Sequence, residues 1–259
     1  MALLSTPVPE IHPGRGEVTA GETIGGRLVG FRGVVDVALV RRERSPAREH
    51  RVECASILVR DTRDARWELD VPADLPPTAE GRRCAMDYVL TAKEALGGDS
   101  AATADITVRA VGRPHLDGRE FSIDRVLGNA TARHFHIELA DAELRGGGRI
   151  AGRVHRHQRW APGEWTVEVT CIETWRAAMP SLAGAPHWEH DALWTARVSL
   201  ETDPDLTWCP FRFELPPDLP PAVEAHGLAW RYELDATRHA RLGLDERAVV
   251  TPLLFEADR

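Results

Sequence analysis

Asp70-Val71-Pro72-Ala73-Asp74-Leu75-Pro76-Pro77 occurs a second time as Glu214-Leu215-Pro216-Pro217-Asp218-Leu219-Pro220-Pro221. Acid, apolar, Pro, any residue, Asp, Leu, Pro, Pro is too specific a string to recur by chance in matched surroundings. Each copy follows an alternating segment, Trp67-Glu68-Leu69 in one and Phe211-Arg212-Phe213 in the other. Proline lacks the N–H that a sheet ladder needs and pushes the preceding residue to an extended conformation. Each copy therefore reads as a stiff corner, in polyproline-like geometry, between the end of one strand and the start of the next. Asp74 and Asp218 are placed to bond backbone donors within that corner.

The flanking residues repeat as well. Trp230 to Ala236 falls on Met86 to Ala92, with Tyr232 on Tyr88, Leu234 on Leu90 and Ala236 on Ala92. Upstream, Ile150, Gly152 and Val154 fall on Ile24, Gly26 and Leu28, and Trp165 to Glu173 on Val35 to Glu43. The offset rises from 126 (150 − 24) to 144 (214 − 70), so the second half carries insertions, the main one within Met179 to Asp191, a Pro/Gly/His loop. Period-2 alternation marks Val35 to Val40, Trp67 to Val71, Cys84 to Leu90 and Ala104 to Val111 as strands. Met1 to Gly16 reads as irregular. Arg41 to Arg51 is a charged segment broken by Ser45-Pro46, and Thr91 to Leu96 has room for one helical turn at most. The fold class expected is all-β: two tandem immunoglobulin-like β-sandwiches spanning 1–112 and 121–259, joined by a linker at 113–120.

With 259 residues, each half is long enough to bury its own core. Hydrophobic residues make up 43% and charged residues 28%, and the net charge of −8 repels phosphate, so nucleic acid and anionic membrane are not expected partners. Lys93 is the single lysine among many arginines. The N-terminal residues have neither a basic region nor a long apolar run, and no apolar stretch of about 18 residues occurs, so no signal peptide or stable membrane insertion is expected. A cytoplasmic location follows by default. Of the four cysteines, Cys54, Cys84, Cys171 and Cys209, none forms a C-x-x-C pair. Buried reduced thiols are expected, although one disulfide per half is arithmetically possible.

The Gly-x-x-Ile-x-Gly-x-Leu/Val strand, the long alternating strand after it, the "apolar-Pro-x-Asp-Leu-Pro-Pro" corner and the Tyr-bearing strand together resemble the arrestin-like superfamily. The resemblance spans about residues 16 to 255 and extends to arrestins, the arrestin-like retromer subunit and bacterial sporulation-control proteins. It implies two curved sandwiches acting as a non-catalytic adaptor or scaffold in a bacterial cytoplasm. The phosphate-triggered activation of visual and β-arrestins does not carry over, because no counterpart of their buried charged core is found among these residues.

The residues offer three further candidate features. Arg41, Arg42, Arg44, Arg48 and Arg51 form the densest basic segment; as a patch for an acidic partner they would have to face one way, and as a solvated hairpin they would pair with Glu43, Glu49 and Glu53. Trp188, Trp194 and Trp208 lie near the second-half insertion and are candidates for an aromatic contact surface. His134 and His136, like His155 and His157, have i,i+2 spacing, which places two imidazoles on one strand face and suits zinc if the pairs converge. There is no Gly-x-Ser-x-Gly, P-loop or dinucleotide fingerprint. The expected function is therefore a non-catalytic adaptor without a cofactor, binding another protein through a free sheet edge or the concave face between domains, with self-association by edge pairing as one form of it. The alternative is a metal- or small-ligand-binding module built on the histidines of the second half.

Overall fold

The computed structural model describes residues 8–60, 65–95, 101–109, 135–156, 163–178 and 187–239, together with the backbone of 122–123 and 246–250. The expected linker, 113–120, lies outside them. The chain divides into two compact units, Met1–Gly112 and Arg113–Arg259.

The first unit contains β1 (Glu10–Pro13), β2 (Glu17–Thr19), β3 (Thr23–Val29), β4 (Val35–Arg44), β5 (Glu49–Val59), β6 (Arg66–Asp70), β7 (Ala79–Glu80), β8 (Ala85–Glu94) and β9 (Ala101–Arg109). One sheet has the order β1-β3-β6. The other runs β2-β9-β8-β4-β5, with β7 added alongside β8. Alternation turns one side of each strand inward: Val35, Val37 and Leu39 on β4, Trp67 and Leu69 on β6, and Tyr88, Leu90 and Ala92 on β8 are buried in one cluster fed by both sheets. Each large apolar side chain so buried contributes roughly 1.5–3 kcal/mol.

The second unit contains β10 (Ser122–Ile123), β11 (Phe135–Ala142), β12 (Arg149–Arg156), β13 (Glu164–Arg176), β14 (Trp188–Ser199), β15 (Trp208–Glu214), β16 (Val223–Glu224), β17 (Leu228–His239) and β18 (Glu246–Val250). Its sheets are β11-β12-β15 and β10-β18-β17-β13-β14, with β16 alongside β17. From the third strand on this is the order of the first unit; the first two strands exchange sheets, β1 lying in the small sheet and β10 in the large one, and β2 runs parallel to β9 whereas β10 runs antiparallel to β18. Phe135, Ile150, Val154, Val167, Val169, Phe211, Phe213, Tyr232 and Leu234 belong to its core. Among the described residues the protein is all-β, and no helix is long and apolar enough to cross a membrane.

The proline corner has the same local structure in both copies. It opens with a turn, Leu75 N–H to Pro72 O at 3.5 Å and Leu219 N–H to Pro216 O at 3.4 Å, and only then extends. The crossing is thus a turn followed by an extended run, not polyproline geometry throughout. A left-handed glycine docks on each copy: Gly21 (φ 88°) donates to Val71 O and Gly147 (φ 74°) to Pro216 O, both at 3.0 Å. Positive φ strains any residue with a Cβ, which explains glycine at both places.

Three local expectations change. The start is not irregular throughout, because Glu10–Pro13 pairs with β3 as a short strand. Thr91 to Glu94 is not a helical turn: β8 continues to Glu94, flanked by β4 and β9, and pairing on both sides outweighs the helical preference of alanine. The insertion loop ends earlier than Asp191, because β14 begins at Trp188.

Candidate functional site

Strand parity decides the fate of the arginine segment. Val35, Val37 and Leu39 face the core, and the same parity carries Arg41 and Glu43 inward at the far end of β4. Arg41 Nη2 lies 2.7 Å from Glu43 Oε1, with side chains 14% and 1% exposed. His50, opposite Glu43 on β5, places Nδ1 4.0 Å from its other oxygen. Opposite Arg41 on β8 is Tyr88, whose ionisation is pushed up by burial and partly opposed by the neighbouring guanidinium. A buried carboxylate costs several kcal/mol unless it is paired, which accounts for Arg41 beside Glu43. The first unit thus holds a buried ion pair, Arg41 with Glu43, at the end of β4.

The opposite parity sends Arg42, Arg44 and Arg51 outward. Arg42 bonds Asp87 and, at 2.8 Å, Asp105, and Asp87 holds its guanidinium above the ordinary arginine value. Arg44 meets Asp87 at 2.6 Å, and Arg51 meets Glu49 at 2.6 Å. Arg48 sits exposed in the turn after Ser45. The five arginines thus share no single surface, and the outward three are each matched with an acid.

In the second unit the position opposite Tyr232 is Cys171, and the buried carboxylate is Glu173, which accepts from Trp230 Nε1 at 3.2 Å. Burial pushes the Cys171 thiol up to about 12. All four cysteines are free, Cys54 half-buried and the others buried.

The three tryptophans do not share a surface. β14 carries a bulge: Cys171 pairs with Trp194 and Ile172 with Ala192, leaving Leu193 as the extra residue. The bulge reverses parity. Trp194 lies against the core with Leu193, while Trp188, opposite Arg176, lies on the outer face and is 43% exposed. Trp208 is on the outer face of the small sheet, under the Arg153 guanidinium at 4.4 Å.

On that same outer face His136 and His155 sit opposite each other on β11 and β12, stacked with centroids 5.1 Å apart, and His155 Nε2 is 2.5 Å from Glu138 Oε2. His136 and His155, one from each expected pair, thus meet across two strands. His134 and His157 lie outside the described residues. Among the described residues no group of three or more His, Cys, Asp or Glu side chains is arranged to hold a metal.

Two long strands, β5 and β14, end the large sheets, and among the described residues no strand pairs with their outer edges. β5 is also bulged: Leu39 pairs with Ala55 and Val40 with Glu53, so Cys54 is the extra residue. Ile57 and Leu58 on β5 are 38% and 57% exposed. The sequence reads Arg51 to Arg60 as β-type residues (Val52, Cys54, Ile57 and Val59) but gives them no surface role; the signal for one was the apolar-rich run Ser56 to Val59 directly before Arg60.

No family model matches the chain, and no curated protein matches it in sequence.

Proposed function

We propose that the chain is a non-catalytic adaptor of the arrestin-like type, built from two tandem immunoglobulin-like sandwiches, which binds another protein in the cytoplasm. The observation that carries this reading is Trp188, 43% exposed on the outer face of the edge strand β14. Tryptophan is the residue type most enriched among interface anchors, and an edge strand offers backbone donors and acceptors beside it. The strand order that the two units share from their third strand on, each unit locked by a tyrosine on its proline corner, supports a scaffold of two sturdy units.

Affinity capture from extract of the native cell, comparing the natural chain with Trp188→Ala, tests it. The expected result is a discrete set of proteins retained by the natural chain and depleted by the variant, with unfolding midpoints unchanged. Capture of nothing above control, or of the same set by both, overturns it.

A further inference from the structure

The duplicated architecture allows its two edge strands to be compared. On β14 the outward residues after the bulge, Thr195, Arg197 and Ser199, are polar, and Arg197 is tied to Glu168 at 2.6 Å. Its inward residues Trp194, Ala196 and Val198 pack against the core. A charged outer face and a well-covered inner face are the usual protections of an exposed edge. β5 lacks them over its last turn of sequence. Ile57 faces inward, opposite Val37, yet stays 38% exposed; Leu58 faces outward, opposite Asp36, and is 57% exposed.

The segment is also complementary to itself. Glu53-Cys54-Ala55-Ser56-Ile57-Leu58-Val59-Arg60 begins with an acid, ends with a base and is largely apolar between them. Consider two copies running antiparallel about a twofold axis through Ile57, normal to the sheet. Ile57 then meets Ile57, Ala55 meets Val59 and Ser56 meets Leu58, each pair sharing a face as antiparallel pairing demands. In a uniform strand Cys54 would fall opposite Arg60. The bulge removes Cys54 from the register, so Glu53, outward with Val40, comes opposite Arg60, which follows Val59 with outward parity. Both are exposed. The axis produces this acid–base pair twice, and the second copy supplies the partner for the backbone groups along the edge.

We propose that β5 pairs with β5 of a second copy over Glu53 to Arg60, joining the two large sheets of the first units into one continuous sheet. The seam is short, so the dimer is weak and concentration-dependent. It uses residues of the first unit alone and does not depend on the Trp188 reading.

Sedimentation velocity from low micromolar to near-millimolar concentration, with circular dichroism as the fold control, tests the proposal. The natural chain is expected to shift toward the mass of two chains as concentration rises. Ile57→Lys places two ammonium groups on the axis and is expected to abolish the shift. Glu53→Arg and Arg60→Glu alone are each expected to weaken the dimer roughly tenfold, since two symmetric pairs become like-charged. The double variant restores opposite signs and is expected to return close to the natural affinity; Trp188→Ala is expected to dimerise normally. A natural chain that stays monomeric throughout, a dimer indifferent to Ile57→Lys, or a double variant no better than the single ones overturns the proposal.

Discussion

The hydroxyl of Tyr88 donates to the carbonyl oxygen of Pro76 at 2.6 Å, and the only other tyrosine, Tyr232, donates to Pro220 at 2.8 Å. Pro76 and Pro220 are the same position of the repeated corner. Each unit therefore uses its single tyrosine to fasten the segment that leaves the small sheet to the central strand of the large one. The prolines make the corner stiff but leave it short of donors, and the phenol supplies one from inside the core.

Removing either hydroxyl strands a proline carbonyl. Tyr88→Phe and Tyr232→Phe are each expected to cost about 1–2 kcal/mol in urea unfolding. The sites lie in separate units, so the double variant should show the sum of the two losses. A loss below about 0.3 kcal/mol at both would mean that the bond contributes nothing net.

Gly26 on β3 and Gly152 on β12 are matched positions where a Cβ does not fit. At Gly26 it would collide with the His12 carbonyl and lie 2.8 Å from the Trp67 ring; at Gly152 it would collide with the Glu138 carbonyl and lie 2.6 Å from the Phe211 ring. Gly26→Ala and Gly152→Ala are expected to destabilise by roughly 1–3 kcal/mol or more, because backbone is among the obstructing atoms. Gly16, with nothing within 4 Å of an added Cβ, is the control and should change by under about 0.5 kcal/mol. Thermal melts of the three variants separate the two classes.

The Arg41–Glu43 pair gives an asymmetric result. Glu43→Leu alone leaves a buried guanidinium without its carboxylate and is expected to cost about 3–5 kcal/mol. Arg41→Met with Glu43→Leu should recover most of that loss, since an apolar pair of similar size carries no desolvation penalty. Urea unfolding of the two single variants and the double closes the cycle. Plain additivity of the single effects would show that the pair is not energetically coupled.

Alkaline pH should weaken the fold. The Cys171 thiol is moved from 9.0 to about 12 by burial, and burial also raises Tyr88 and Tyr232 above 10.0. These groups ionise first in the unfolded chain, so above pH about 9 the unfolded state binds fewer protons and stability falls as pH rises. The Cys171 contribution is intact below pH about 9 and is lost through pH about 12. Unfolding midpoints across that range should decline less steeply for Cys171→Ala than for the natural chain. With a thiol reagent under native conditions, half-buried Cys54 should react before Cys171.

Much of the strand layout was legible. Val35, Val37 and Leu39, or Met86, Tyr88 and Leu90, show a period of two that only a half-buried strand satisfies. β1 was not legible, because four residues with a single apolar side chain, Ile11, between two polar ones and a terminal proline make no pattern until β3 lies beside them. Ala92 was misread for a related reason: alanine prefers a helix in isolation, and the sandwich of β4 and β9 around β8 overrides that preference.

The surfaces were less legible than the strands. Arg41 and Arg42 are adjacent in sequence and lie on opposite faces, one beside Glu43 in the core and the other against Asp87 outside. Trp188 and Trp194 are six positions apart, so even spacing predicts one face, but the bulge at Leu193 puts them on two. The same device at Cys54 brings Glu53 onto the face of Arg60.

By itself, then, the sequence determined the duplication, the corners, the alternating core and the two tyrosines that close them, because these depend on local stereochemistry and on which residues leave water. Tertiary structure alone decided strand order, the position of the bulges on β5 and β14, and hence which arginines, tryptophans and aliphatics reach the surface. Parity along a strand resets at every bulge, and a bulge is a property of two paired strands that neither strand carries alone.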